Sequence, residues 1–315
     1  MPQDYSFATD ALARFNAEGV TGMALIERVD ALHQQRNTLT LALNTWQNTP
    51  VRIEGEQVQV FHREIIADRV RECARNSLRA QYAPDEPVAG PSRAPARSGS
   101  DVLDMTGLGA IGDLPALGDT VFAHIRRLNL AGSRLTAAQV NDFLRAFPQL
   151  RTLELSANRL TELPQAFDSL SELTALDLSF NALTITATAQ ARINRLTSLQ
   201  TLNLAYNRVG ALDVSSLTNL QSLYLGHTRL TRWPNGALSL PRLRRLALNH
   251  SAITEIPLEA LSGHDRLLGV TLLQGCRLSP QALAAVRAFA ERTPSQTPMG
   301  ITRADLGAGR TGGDP

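Results

Sequence analysis

Leucine recurs through the middle of the chain in one frame. From Leu150 it gives Leu153, Leu155, Asn158 and Leu160; from Leu173 it gives Leu176, Leu178, Asn181 and Leu183; from Leu199 it gives Leu202, Leu204, Asn207 and Val209. Looser copies start at Ile125 (Leu128, Leu130, Ser133, Leu135), Leu220 (Leu223, Leu225, Thr228, Leu230) and Leu243 (Leu246, Leu248, Ser251, Ile253). A last copy closes on Leu273, Cys276 and Leu278, with Thr271 where a leucine is expected, and a degenerate opening copy has Leu103 and Met105. The asparagine slot falls at positions 133, 158, 181, 207, 228, 251 and 276, in steps of 25, 23, 26, 21, 23 and 25 residues. Each L-x-L is a short strand whose alternate side chains point inward, and the leucine after the turn points into the same interior. No single unit can bury its own leucines, so each must stack on its neighbours.

A period of this length with this frame is that of a leucine-rich repeat. The fold class expected is α/β: a curved leucine-rich-repeat solenoid with parallel strands on the concave face, an N-terminal helical hairpin and a C-terminal capping helix. The slot residues Ser133, Asn158, Asn181, Asn207, Thr228, Ser251 and Cys276 form a structural ladder in this reading. An asparagine amide there bonds backbone groups that the turn leaves unpaired, and serine, threonine or cysteine substitutes in part. In the outer wall, prolines at 164, 234 and 257 start short helical or 3₁₀ pieces, and Phe167, Leu238 and Leu261 are expected to face inward. The segments 184–191 and 136–146 read as fuller helices.

The flanks follow different rules. In 22–49, Leu25, Val29, Leu32, Leu39, Leu43 and Trp46 recur at helical steps, and in 63–79 Ile66, Val70 and Cys73 share one face. Between them, 51–60 alternates as a small hairpin or a loop. At the far end, Ser279 is an N-cap with Pro280 at the first helical position, and Leu283, Val286 and Phe289 or Ala290 form the stripe that closes the last repeat. The organisation expected is an N-terminal helical region (1–82), a Pro/Gly/Ser/Ala-rich flexible linker (83–100), the solenoid with its cap helix (101–292) and a disordered tail (293–315).

Composition narrows the function. The net charge of +2 is too small to argue for nucleic acid. All 31 basic residues are arginine, as a GC-rich genome would favour. The two cysteines, Cys73 and Cys276, have neither metal-ligand spacing nor the density of a disulfide scaffold. No apolar run approaches the roughly 18 residues of a membrane span, and the polar, acidic opening 1–10 is unlike a signal peptide. The expectation is a protein without cofactor or metal that binds another protein and not nucleic acid or a membrane. No H-E-x-x-H, G-x-S-x-G or P-loop occurs, and no catalytic constellation is found.

Candidate binding residues lie at the outward positions of the strands. Between the inner leucines stand Asn129, Glu154, Asp177, Asn203 and Tyr224. Just before the slot, Phe180, Tyr206, His227 and His250 follow one another at a strand spacing of about 5 Å. Two readings of this row stand open: anchors for a partner, or covers for the backbone of the turn below. Arg229, Arg232, Arg242, Arg244 and Arg245 crowd a stretch from 214 to 254 that has no acidic residue. Arg244 and Arg245 are expected near the concave face, where they would steer an acidic partner.

The segments SDVLDMTGLGAIGDLPAL, HIRRLNLAGSRL, ELSANRLTELP and GHDRLLGVTLLQGCRLSPQAL, preceded by DALHQQRNTLTLALNTWQ, resemble the repeat region of large bacterial leucine-rich-repeat effectors. In that family a C-terminal novel E3 ubiquitin-ligase (NEL) domain follows the repeats, with a cysteine nucleophile in a C-x-D motif. Here Cys73 is followed by Ala74 and Arg75, and Cys276 by Arg277 and Leu278, so no catalytic residue carries over. The resemblance implies a substrate-recognition module, made in the bacterial cytoplasm and exported without a signal peptide into a host cell. Two alternatives stay beside it: the non-catalytic portion of a NEL-type ligase, and an intracellular structural scaffold.

Overall fold

The computed structural model describes residues 6–53, 56–58, 61–82, 101–106, 113–293, 298–301 and 306. They fall into two compact units, one of Met1–Asn129 with Ala138–Leu150, the other of Leu130–Ala137 with Arg151–Pro315. The expected linker 83–100 lies outside the described residues.

The first unit opens with α1 (Ser6–Ala17), α2 (Gly22–Asn48), an antiparallel pair β1 (Val51–Ile53) and β2 (Glu56–Val58), and α3 (Phe61–Tyr82). The alternating segment is therefore a hairpin. The helix α1 was not anticipated; its buried residues Ala11 and Phe15 stand one turn apart, too short a stripe to read as a period. It explains why the apolar stripe of α2 is so long. Leu25, Val29 and Leu32 pack against Ala11 and Phe15, while Leu39, Leu43 and Trp46 are buried further along. The end of α2 leaves carbonyls without helical partners. Buried Arg63 of α3 satisfies two of them, donating to Trp46 O (2.7 Å) and Thr49 O (3.1 Å) while its guanidinium lies 4.7 Å from the Trp46 ring centroid. Two parallel strands follow, β3 (Val102–Asp104) and β4 (Arg127–Asn129), with Leu103 beside Leu128. Phe122, Phe143 and Phe147 fill the space under them, Phe122 and Phe147 stacked at 5.1 Å.

The second unit is a stack of coils. Its strands are β5 (Thr152–Glu154), β6 (Ala175–Asp177), β7 (Thr201–Asn203), β8 (Ser222–Tyr224), β9 (Arg245–Ala247) and β10 (Thr271–Leu272), all parallel and paired in chain order. Leu153, Leu176, Leu202, Leu223 and Leu246 stand side by side through these pairings, each at most 1% exposed. Parallel strands need a long crossover, and the outer wall supplies it. Thr271 takes the inner position in the last coil; its buried hydroxyl donates to Leu267 O at 2.7 Å, so no polar group is stranded there.

The outer wall corrects one expectation. Phe167 is buried as expected, but Leu238 and Leu261 are only half-buried, and Ala237 and Ala260 take the inward place. The rule is set by the proline. Pro164, Pro234 and Pro257 each accept at their carbonyl from the N–H three residues on, that of Phe167, Ala237 and Ala260 (3.2, 3.2 and 3.0 Å). One turn of this kind brings that third residue to the interior in these three coils. The fuller helices of the wall are α4 (Ala137–Leu144) and α5 (Ala187–Arg195).

After the short helices α6 (Leu258–Leu261) and α7 (Asp265–Gly269), the cap helix α8 (Pro280–Arg292) closes the stack. Ser279 Oγ accepts from Ala282 N at 3.1 Å, and Leu283, Val286 and Phe289 are buried. Within the stretch expected to be a disordered tail, Pro298–Gly300 form a 3₁₀ turn, and Met299, Ile301 and Leu306 are buried. Leu273 N donates to Met299 O (2.8 Å), as Leu248 N does to Leu272 O one coil earlier, so this segment covers the free edge of β10. Met299, Ile301 and Leu306 stand among Gly, Thr and Arg without periodicity, which hid the segment.

Candidate functional site

The turn after each strand is the first thing the sequence builds. Asn158 Nδ2 donates to Leu130 O (2.9 Å) and Leu155 O (3.0 Å), while its Oδ1 accepts from Leu135 N (2.9 Å). Asn181 repeats the set with Leu155 O, Leu178 O and Leu160 N, and Asn207 with Leu178 O, Leu204 O and Leu183 N. Each amide thus ties its own coil to the preceding one. The later slots do less. Thr228 Oγ1 donates only within its own coil, to Leu225 O (2.8 Å). Buried Cys276 reaches Leu248 O (3.1 Å) and lies 3.4 Å from Ser251 Oγ. Ser133 contacts Ala131 O at 3.5 Å.

One residue before the slot, the backbone is left-handed throughout. Gly132, Ala157, Phe180, Tyr206, His227, His250 and Gly275 have φ of 70, 53, 53, 56, 56, 53 and 71°. The conformation turns each N–H toward the next coil: Phe180, Tyr206, His227 and His250 donate to Ala205, Gly226, Asn249 and Gln274 carbonyls at 2.8–3.0 Å. A non-glycine residue in this region costs on the order of 1 kcal/mol. The four rings offset that by stacking, with centroids 4.1, 4.2 and 4.3 Å apart and planes within 15°. Their faces therefore meet one another and their edges face solvent. At one end Gly275 makes room: a Cβ there would lie 2.3 Å from His250 Nδ1. At the other end Phe180 is 54% exposed. Burial and the neighbouring His250 charge both push the His227 pKa below its usual 6.5.

The strand face carries the other predicted residues. Glu154, Asp177, Asn203 and Tyr224 are consecutive partners across β5 to β8 and are half-buried. Asn129 sits on β4 in the first unit. Two side-chain contacts the sequence did not reveal hold this row. Asn203 Nδ2 donates to Asp177 Oδ2 (3.0 Å), and Arg245 Nη1 donates to Tyr224 Oη (3.2 Å). Asp177 Oδ1 also accepts from Ser179 N and Oγ (2.8 and 2.7 Å). Arg244 and Arg245 are exposed at the start of β9, and beyond them Ala247 and the exposed Leu272 complete the row. The face runs from acidic at Glu154 and Asp177 to basic and apolar at Arg244, Arg245 and Leu272.

Both cysteines are free and buried. Burial, with Glu72 nearby, pushes the Cys73 thiol up to about 11, and burial raises that of Cys276 against the lowering effect of Ser251. Among the described residues no group of His, Cys, Asp and Glu could hold a metal, and no helix is long and apolar enough to cross a membrane.

Strands in one register, a slot amide that bridges coils and a wall of short 3₁₀ and helical pieces define a leucine-rich-repeat fold. Residues 123–183 match the leucine rich repeat family model and residues 197–235 the model of two leucine rich repeat copies, so the chain carries this repeat. It is similar to the human leucine-rich repeats and immunoglobulin-like domains protein 3, 29% identical over 147 residues, which is 45% of this chain and 10% of that protein. The chain thus spans about a tenth of the length of that curated relative. Among solved structures it is similar to a leucine-rich-repeat protein of Leptospira interrogans (26% identity, TM-score 0.43, covering 52% of this chain and 41% of that one). It is also similar to internalin C2 of Listeria monocytogenes (18% identity, TM-score 0.44, covering 76% and 90%).

Proposed function

We propose that the chain is a protein-binding leucine-rich-repeat module whose strand face in the second unit receives the partner. The observation that carries this is the pre-organised row on β6 to β9. Asp177 and Asn203 hold each other, as do Tyr224 and Arg245, at positions the interior does not need. Side chains already fixed lose little entropy on binding, and Tyr and Arg are the residue types that dominate interface energies. The resemblance of the flanking segments to NEL-type effectors supports reading the module as the substrate-recognition part of an exported bacterial effector. In such a module Tyr206 and Phe180 contribute ring edges at the rim of the face, while His227 and His250 mainly brace the turn.

The test is capture of partners from host-cell lysate by the wild type and by Tyr224→Ala with Arg245→Ala. The double variant is expected to retain its fold and to lose partner binding by roughly tenfold or more. Leu258→Ala, on the exposed outer wall, should bind as the wild type does. Unchanged capture by the double variant would remove this face as the site. A thioester with ubiquitin on Cys73 or Cys276 would overturn the non-catalytic reading.

A further inference from the structure

We propose that the flank of the second unit just past the slot is a second interaction surface, which takes an extended, acidic polypeptide segment. One residue after the slot, five of the seven coils carry an arginine: Arg134, Arg159, Arg208, Arg229 and Arg277, all exposed. Two residues further on, five coils carry an exposed threonine: Thr136, Thr161, Thr184, Thr231 and Thr254. The residue between is always apolar and buried, so both rows point out of the same flank.

The rows are aligned by the backbone itself. Arg159 N donates to Leu135 O, Ala182 N to Leu160 O and Arg208 N to Leu183 O, each at 2.9 Å, and Ser279 N to Thr254 O at 2.8 Å. At about 4.8 Å per coil, the six steps from Arg134 to Arg277 span roughly 29 Å, the length of about nine residues of extended chain. Among the described residues the side chains of Arg208, Arg229 and Arg277 make no ion pair or hydrogen bond. The carboxylates nearest in sequence register are Glu162 and Glu255, one residue beyond the threonine row.

The chemistry selects the occupant. Guanidinium groups pair with carboxylates through paired N–H donors, and the hydroxyl row beside them can meet an extended backbone. Single-stranded nucleic acid needs open aromatic faces, and the adjacent rings are stacked on one another at 4.1–4.3 Å. Stable seating on a bilayer takes apolar side chains beside the basic ones, and the rows offer arginine and threonine in five coils each, with only Ala182 and Ala252 apolar in the first row. This flank is separate from the strand face and does not depend on it.

The experiment uses the full chain and a fluorescent deca-glutamate peptide, read by anisotropy at two salt concentrations. Binding that weakens with salt is expected. Arg208→Gln with Arg229→Gln should weaken it at least about fivefold. Arg145→Gln with Arg292→Gln, the same loss of charge elsewhere, should change it by less than about twofold. The charge-reversed Arg208→Glu with Arg229→Glu should lose deca-glutamate and gain deca-lysine. The proposal is overturned if deca-glutamate does not bind, if the two glutamine pairs weaken it equally, or if an oligothymidylate or phosphatidylserine vesicles bind more tightly through the same arginines. Tyr224→Ala should leave peptide binding intact, so failure here is distinguishable from failure at the strand face.

Discussion

The coils that carry asparagine in the slot and those that carry threonine, serine or cysteine close the same turn in different ways. In the coils of Asn158, Asn181 and Asn207, one amide makes four bonds, and two of them reach the preceding coil. The amides of Leu135, Leu160 and Leu183 are satisfied by it. In the coils of Thr228, Ser251 and Cys276 the side chain is shorter and carries no amide. Thr228 bonds its own coil, and Cys276 reaches back through weaker sulfur contacts to Leu248 O and Ser251 Oγ. Those same coils carry His227, His250 and the glycine that admits the His250 ring. The ring stack that starts at Phe180 and Tyr206 in the asparagine coils continues here through imidazoles, adding coil-to-coil adhesion where the amide is missing and bringing pH sensitivity with it. The strand face beside these weaker turns is also where Tyr224, Arg244 and Arg245 stand. Binding surfaces are drawn from the less protected parts of a fold.

Removing an amide should break the contrast most sharply. Asn207→Ala leaves two carbonyls and an N–H unsatisfied in a buried turn and should cost about 3 kcal/mol, whereas Thr228→Ala should cost under about 1 kcal/mol. Urea unfolding midpoints measure both, and equal losses would abolish the distinction. Next in size is Gly275→Ala. Its φ of 71° and the 2.3 Å approach to His250 Nδ1 add strain to a displaced ring, so about 2 kcal/mol is expected. Gly132→Ala, at φ 70° in open space, should lose about 1 kcal/mol.

The pH dependence follows from His227. Its folded pKa lies below 6.5, so as pH falls past that value the unfolded chain takes up the proton first. The stability it contributes is complete above about 6.5 and is lost as pH drops through the folded value. His227→Phe should therefore show a smaller fall in urea midpoint between about pH 7.5 and about pH 5.5 than the wild type. A wild type whose midpoint is flat, or falls no more than the variant's, would contradict the stacked-imidazole account. The smallest effect is chemical. With thiols raised by burial, Cys73 and Cys276 should both resist a thiol reagent near pH 8 until urea exposes them.

What the sequence made legible was whatever has a period. The inner leucines, the slot and the cap helix all follow from spacing, because burial on a stack of coils repeats with the coil. Leu238 and Leu261 were misplaced because the wall was aligned by its leucines, whereas the proline carbonyl sets the inward position three residues on. The left-handed column had a visible signal in Gly132 and Gly275 at the same register position as the rings, since glycine marks a positive φ. The rings of that column stack on one another over the turns, and Phe180 and Tyr206 stay exposed beside the strand face. The pairs Asp177–Asn203 and Tyr224–Arg245 left no trace in the sequence, because outward residues obey no burial period and their contacts depend on rotamers.

Residue-resolved amide exchange tests the central contrast most directly. Leu135, Leu160 and Leu183, held by asparagine side chains, should exchange only with global unfolding. The equivalent amides of Val209, Leu230 and Ile253, which face Thr228, Ser251 and Cys276 in the slot of the next coil, should exchange by local opening at least about tenfold faster. Equal protection of the two sets would show that the slot amide does not divide the stack, and would contradict the account.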